Sequence, residues 1–194
     1  HKITTVVDVP LIIGGGIRNI EHIQRIFDLG ASKVSISSAA VENPQFIAKA
    51  SARFGQERII VAIDAKRRSS NSGWDVYIAG GRENTGIGVL SWAKKLQALG
   101  AGELLLTSMD KDGTNNGYDI DLTKAVTDVV DIPVIASGGA GSYEDFYDVI
   151  EEAGVDAVLA ASLFHNRKVD INELKKYLKN RKISVYEKGD SYNG

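Results

Sequence analysis

Asp64 follows the apolar run Ile59 to Ile63. A carboxylate at the end of a buried strand can have its proton affinity tuned by a ligand that covers it, which makes Asp64 the first candidate for general acid/base work. The competing reading is a structural aspartate bonded to Lys66 or Arg67. Asp110 and Asp112 lie in Thr107-Ser108-Met109-Asp110-Lys111-Asp112-Gly113-Thr114, directly after another apolar run. The acidic string has the opening of a calcium loop, but the later ligands and the bidentate glutamate are missing, so no metal is expected there. Thr107, Asp112 and Ser137 read instead as substrate-positioning groups, with turn formation explaining the Asp-Gly loop nearly as well.

A second kind of chemistry is written twice. Asp8-Val9-Pro10-Leu11-Ile12-Ile13-Gly14-Gly15-Gly16 aligns with Asp131-Ile132-Pro133-Val134-Ile135-Ala136-Ser137-Gly138-Gly139. Further on, Gly30 to Ala39 aligns with Gly154 to Leu163, at a separation of 124 positions between the two leading glycines. Each copy is a strand, a glycine-rich loop, a helix and a second strand that ends in small and hydroxyl residues, Ser37-Ser38 in one and Ala161-Ser162 in the other. Backbone N–H groups of such a loop converge on an oxyanion, and two copies predict a ligand phosphorylated at both ends. The loop glycines with Ser37-Ser38 are the candidates at one end, and the loop glycines with Ala161-Ser162 at the other. Glycines that merely permit tight turns are the plainer alternative.

The elements that must position these groups follow from the apolar pattern. Leu11 to Ile13, Lys33 to Ser37, Ile59 to Ile63, Glu103 to Thr107, Val134 to Ala136 and Ala157 to Ala160 read as buried parallel strands, each followed by a stretch of helical spacing. Gly30, Gly100 and Gly154 suit helix C-caps. An alternating stretch near Asp75 to Ile78 predicts a hairpin arm after the third strand. The expected class is α/β, a TIM (β/α)8 barrel of the phosphate-binding type, with residues 1–194 as one barrel domain holding six of the eight units. A repeat of this period fits two halves of a barrel, whose usual length is about 250 residues. Functional groups then belong at the carboxyl ends of the strands, whereas Lys33 and Glu103, which begin theirs, belong at the opposite face.

Composition narrows the partners. A net charge of −2 from 23 basic and 25 acidic residues gives no field for a nucleic-acid backbone or an anionic membrane. There is no cysteine, and no apolar run approaches the roughly 20 residues of a membrane span. A cytoplasmic location is the simplest expectation. His1, His22 and His165 have no metal-ligand spacing, so neither a metal nor a cofactor is called for. Position 1 is His and no signal peptide follows, which suggests a cut through a longer protein.

Gly14-Gly15-Gly16-Ile17-Arg18, Lys33-Val34-Ser35-Ile36, Ala39 to Pro44, Ala62 to Arg67, Thr107 to Thr114 and Ile135 to Gly141 together resemble the cyclase subunit of imidazole glycerol phosphate synthase, a lyase of histidine biosynthesis. The resemblance runs from Val9 to about Val185 and leaves the first two β/α units of that family unmatched. It implies that ammonia from a glutaminase partner attacks a bis-phosphorylated phosphoribulosyl-formimino nucleotide, giving imidazole glycerol phosphate and an aminoimidazole carboxamide ribonucleotide. Asp64 matches one of the family's two catalytic aspartates; the other lies in the unmatched portion. Gly16 and Ser38 match one phosphate site and Gly139, Ala161 and Ser162 the other. Thr107, Asp112 and Ser137 match the substrate cleft, and Lys33 and Glu103 match two of four charged residues that gate ammonia entry. Ser37 stands where the family commonly has asparagine, and Ser32 where it often has an aspartate that contacts the glutaminase. For the chain alone, the implied outcomes are little cyclase activity and self-association through open barrel edges. Two other readings are a sugar-nucleotide amidotransferase synthase subunit on the same barrel and a non-catalytic fragment.

Overall fold

A computed structural model describes residues 9–70 and 72–186. Asp8, which opens the first repeat copy, and His1 lie outside the described residues. Among the described residues, eight strands and eight α-helices follow one another as β1 (Ile12–Gly14), α1 (Ile20–Asp28), β2 (Lys33–Ile36), α2 (Ser38–Glu42), α3 (Gln45–Phe54), β3 (Ile59–Arg67), β4 (Trp74–Ile78), β5 (Glu83–Gly88), α4 (Val89–Ala98), β6 (Glu103–Ser108), α5 (Ile120–Thr127), β7 (Val134–Ser137), α6 (Tyr143–Ala153), β8 (Ala157–Leu159), α7 (Ser162–His165) and α8 (Ile171–Asn180). Six of the strands form a parallel sheet in the order β1-β2-β3-β6-β7-β8, the curled array expected of six barrel units. β4 and β5 form the expected hairpin, pairing antiparallel with the far end of β3.

Alternation along the strands separates two faces. Val61, Ile63 and Ala65 of β3, with Leu104 and Leu106 of β6 and Val134 and Ala136 of β7, are fully or almost fully buried, and they pack on Ile23, Ile47, Trp92, Leu96, Leu122, Val126, Phe146 and Val149 of the helices. The other face is the barrel interior. It is partly open, because β1 and β8 end the sheet among the described residues, and Ile12 and Leu159 are exposed there, with Ile13 exposed on the other face of the β1 edge. The helix stops fall as the glycines predict: Gly154 caps α6 at φ 64°, and Gly30 and Gly100, at φ 94° and 87°, follow the last residues of α1 and α4.

Three boundaries differ from the sequence expectation, each for a local reason. β3 runs on to Arg67 because β4 supplies hydrogen-bonding partners for Asp64 to Arg67, so Asp64 lies within a strand and not at its end. Ser37 and Ser38 are not strand residues: Ser37 turns out of the strand at φ −117°, ψ −101°, and Ser38 starts α2. Ala161 and Ser162 do the same for α7, with Ala161 at φ −110°, ψ −68°. The duplication persists in these details. The N-caps Asn19 of α1 and Ser142 of α6 also share one geometry, φ −151°, ψ 168° and φ −142°, ψ 170°.

Candidate active site

Parallel pairing in register places opposite residues on the same face of a sheet. Asp64 pairs with Thr107, Thr107 with Ser137, and Ser137 with Leu159, so the first three form a polar rung across the mouth of the interior. With strands about 4.8 Å apart, Asp64 and Ser137 are separated by roughly 10 Å along that rung. The rung below is Ala62, Leu105, Ile135 and Ala157, an apolar layer beneath the carboxylate.

Asp64 is half-buried, and its carboxyl is held above the ordinary carboxylate range by that burial and, secondly, by the negative charge of Asp112. Of the two residues weighed as structural partners, Arg67 turns away to Asp121 at 3.3 Å and Asp119 at 3.8 Å. The other, Lys66, lies 5.8 Å from the centre of the Tyr77 ring. Asp110 has a structural task, accepting the Arg67 N–H at 2.7 Å, so the β6–α5 loop is stitched to the end of β3. Among the described residues no acidic or histidine cluster could hold a metal ion.

On one side of the rung lies a cavity of about 170 Å³, lined by Asp112, Gly113, Asn115, Ser137 to Ala140 and Leu159 to Ser162. All five expected residues of that side, Asp112, Ser137, Gly139, Ala161 and Ser162, meet in it. The glycines here also have a packing duty. Gly138 and Gly139 have φ 92° and 110°, and a Cβ on Gly139 would lie 2.1 Å from the Gly117 carbonyl oxygen. The plainer reading of these glycines as turn and packing residues is therefore correct in part. The start of α6 is already satisfied, since the Gly141 and Ser142 N–H groups both donate to the Asp145 carboxylate at 2.7 Å. Donors for an anion must come from the earlier part of the loop and from the Ala161–Ser162 corner.

The first repeat copy makes the matching cavity, of about 280 Å³, from Gly15 to Arg18, Ser35 to Ala39, Glu42 and Gly80. Gly16 and Ser38 meet in it as expected. Gly15 and Gly16, at φ 93° and 69°, have nothing within 4 Å of the point where a Cβ would stand, so their backbone is open to a ligand. Sequence reasoning missed Asn115, Arg18 and Gly80. Arg18 could have been found two places after Gly16; Gly80 could not, because it arrives on the tip of the β4–β5 arm.

Lys33 and Glu103 sit at the opposite end of the interior and form an ion pair across β3, with side chains 6% and 17% exposed. Beside them, Arg58 donates to the Ser32 and Ala31 carbonyls at 3.1 and 3.2 Å, and its guanidinium stacks 3.5 Å from the centre of Phe27.

Residues 1–170 match the family described as histidine biosynthesis protein. The chain is 54% identical over 180 residues to the imidazole glycerol phosphate synthase subunit HisF of Prochlorococcus marinus strain AS9601, covering 92% of this chain and 70% of that protein. It is 52% identical over 185 residues to the HisF subunit of Lachnoclostridium phytofermentans, covering 95% of this chain and 72% of the relative. With a duplicated loop pair facing one carboxylate and similarity of this extent, the chain belongs to the histidine biosynthesis protein family, as a HisF-type subunit of imidazole glycerol phosphate synthase.

Proposed function

We propose that the two glycine-and-hydroxyl cavities hold the two phosphates of one nucleotide substrate and stretch it across the rung of Asp64, Thr107 and Ser137. The observation that carries this is the arrangement itself: duplicated cavities on either side of a single half-buried carboxylate at the carboxyl ends of the strands. The substrate is the bis-phosphorylated phosphoribulosyl-formimino carboxamide ribonucleotide. The reaction is its ammonia-dependent conversion to imidazole glycerol phosphate and the aminoimidazole carboxamide ribonucleotide, a lyase reaction of the cytoplasm.

Each side chain has a step. Asp64 keeps its proton to higher pH than a solvated carboxyl, which suits it to donate during C–N cleavage and to accept during imine formation and ring closure. Thr107 and Ser137, on its rung, present hydroxyls to the glycosyl part of the substrate. Asp112 keeps the Asp64 proton affinity high and faces the second cavity. Lys33 and Glu103 close the lower end of the interior, where opening their ion pair admits ammonia from a glutaminase subunit docked on that face. The family's second catalytic aspartate matches no position in this chain.

Titration calorimetry with the bis-phosphorylated nucleotide tests the binding core of this reading. Ser38→Ala and Ser162→Ala should each weaken binding by about three- to tenfold, the worth of one hydrogen bond to a charged group. Asp64→Asn should leave affinity within about threefold. Affinity unchanged from wild type in either serine variant would refute the two-ended grip.

A further inference from the structure

The β4–β5 arm does more than extend the sheet. Its first strand pairs along β3, with Tyr77, two residues before the tip, opposite Asp64, and its base is braced by the Arg68–Asp75 ion pair at 2.7 Å and by Asn84 donating to Asp75 at 3.3 Å. Its tip turns through Ala79, Gly80 and Gly81, all in the left-handed region at φ 53°, 68° and 79°. The tip packs so closely on Met109, beside the mouth of β6, that a Cβ on Gly81 would lie 2.6 Å from the Met109 Cε. From there it crosses to the first cavity. The Ala79 N–H donates to the Ser38 Oγ at 3.4 Å, and Gly80 forms part of the cavity wall.

Electrostatics gives this reach a purpose. The cavity is lined by one cation, Arg18, and one carboxylate, Glu42, which offset each other. Arg82 brings a second cation on the arm. Its Nε donates to the Ala79 carbonyl at 2.9 Å, and its Nη2 lies 3.9 Å from the position of a Cβ on Gly80. Arg82 does not line the cavity itself but stands behind Gly80 at its wall, so the arm sets a positive charge beside a pocket whose own charges balance, and the Gly80 N–H has no hydrogen-bond partner among the described residues. We propose that the arm tip completes the first anion site, with the Gly80 N–H and the Arg82 guanidinium as ligands to the phosphate held at Gly16 and Ser38. Among the described residues the second cavity has no such arm, so the duplicated sites are unequal by construction. This rests on the reading of the two cavities as phosphate sites.

Inorganic phosphate titrated into the full chain, followed by amide NMR, separates the two ideas. In the unaltered protein the Gly80 amide should shift on the same binding curve as Gly16 and Ser38. Arg82→Gln should weaken that curve about three- to tenfold, while the Gly139 and Ser162 curve stays within about twofold. Arg82→Lys, which keeps the charge and loses the Nε brace, should retain most of the affinity. Arg82 is exposed, so none of these changes threatens the core. The proposal is overturned if Gly80 stays still while Gly16 and Ser38 titrate, or if Gln at position 82 changes nothing. It is also overturned if Lys loses as much as Gln, since the effect would then belong to the brace on Ala79. If phosphate moves neither loop, the two-cavity reading itself fails.

Discussion

Asp64 should be a destabilising residue kept for its chemistry, and Asp64→Asn measures that directly. Burial and the Asp112 charge both raise its carboxyl's proton affinity, so the folded state disfavours the ionised form. A group raised in this way contributes its full stability only below its unfolded value, near 3.8, and loses that contribution as pH rises through the folded value. At about pH 7.5 the wild type therefore carries a penalty that asparagine, of the same shape, does not. Two carboxylates sharing a partly solvated cleft repel by about 0.5–1.5 kcal/mol after screening. For a domain of this size that is a gain of about 1–6 °C in melting temperature.

Differential scanning fluorimetry across about pH 4.5 to 7.5 should show the gain shrinking as pH falls, because the wild-type carboxyl takes up its proton. Asp112→Asn should recover part of the same gain, and the double variant should gain less than the two singles together. Asp112 donates its backbone N–H to the Ser108 carbonyl at 2.9 Å, a bond that asparagine keeps, so removing its charge tests the repulsion cleanly. A pH-independent change, or a loss of stability in Asp64→Asn at the upper end of that range, would refute the reasoning.

Other perturbations probe other parts of the barrel. Lys33→Met should cost about 2–4 kcal/mol in urea denaturation, because it strands Glu103, whereas Lys33→Met with Glu103→Leu should return close to wild type. Gly139→Ala should cost more than about 3 kcal/mol, since its Cβ would meet the Gly117 carbonyl at 2.1 Å; Gly16→Ala, with open space around it, should cost only about 1–2 kcal/mol for its φ, as thermal melts of both will show. The exposed edges at Ile13 and Leu159 should drive self-association of this chain, seen as concentration-dependent mass in light scattering and abolished by Ile13→Lys with Leu159→Lys; a monomer at every concentration would contradict it. If the proposed reaction needs the family's second aspartate, which matches no described residue, an ammonia-dependent assay of this chain alone should show little or no turnover; near-normal rates would show that Asp64 suffices without it.

What the sequence disclosed and what it hid divide along the range of the interactions. Strand runs such as Ile59 to Ile63 and helix stops such as Gly154 are local, and their positions follow from apolar spacing and backbone preference. The repeat was legible because both copies keep glycines and hydroxyls at equal offsets. The continuation of β3 through Arg67 was not, because Lys66 and Arg67 look like a polar loop until β4 pairs with them. Nor was the reach of Gly80, which depends on arm length and on Met109 filling the space beneath Gly81. Asp110 and Asp112, two positions apart, look interchangeable in the string, yet one accepts a backbone N–H and the other charges the cleft.

The two halves of the duplication show how one inherited motif can take on different duties. In the second half the glycines press against the β6–α5 loop, and Asp145 occupies the N–H groups at the start of α6, so most of the loop is committed to holding the fold together. In the first half the matching Gly15 and Gly16 face open space, and the cavity wall is completed from outside by Gly80 of the arm. Under the proposed function, a two-ended substrate would therefore meet a cavity walled by the loops after β6, β7 and β8 at one end and a cavity walled in part by a separate hairpin at the other. On the proposal above, a phosphate at Gly16 and Ser38 would meet Gly80 and Arg82 on a hairpin whose Tyr77, two residues before the tip, pairs with Asp64, so one hairpin would connect that end of the ligand to the carboxylate.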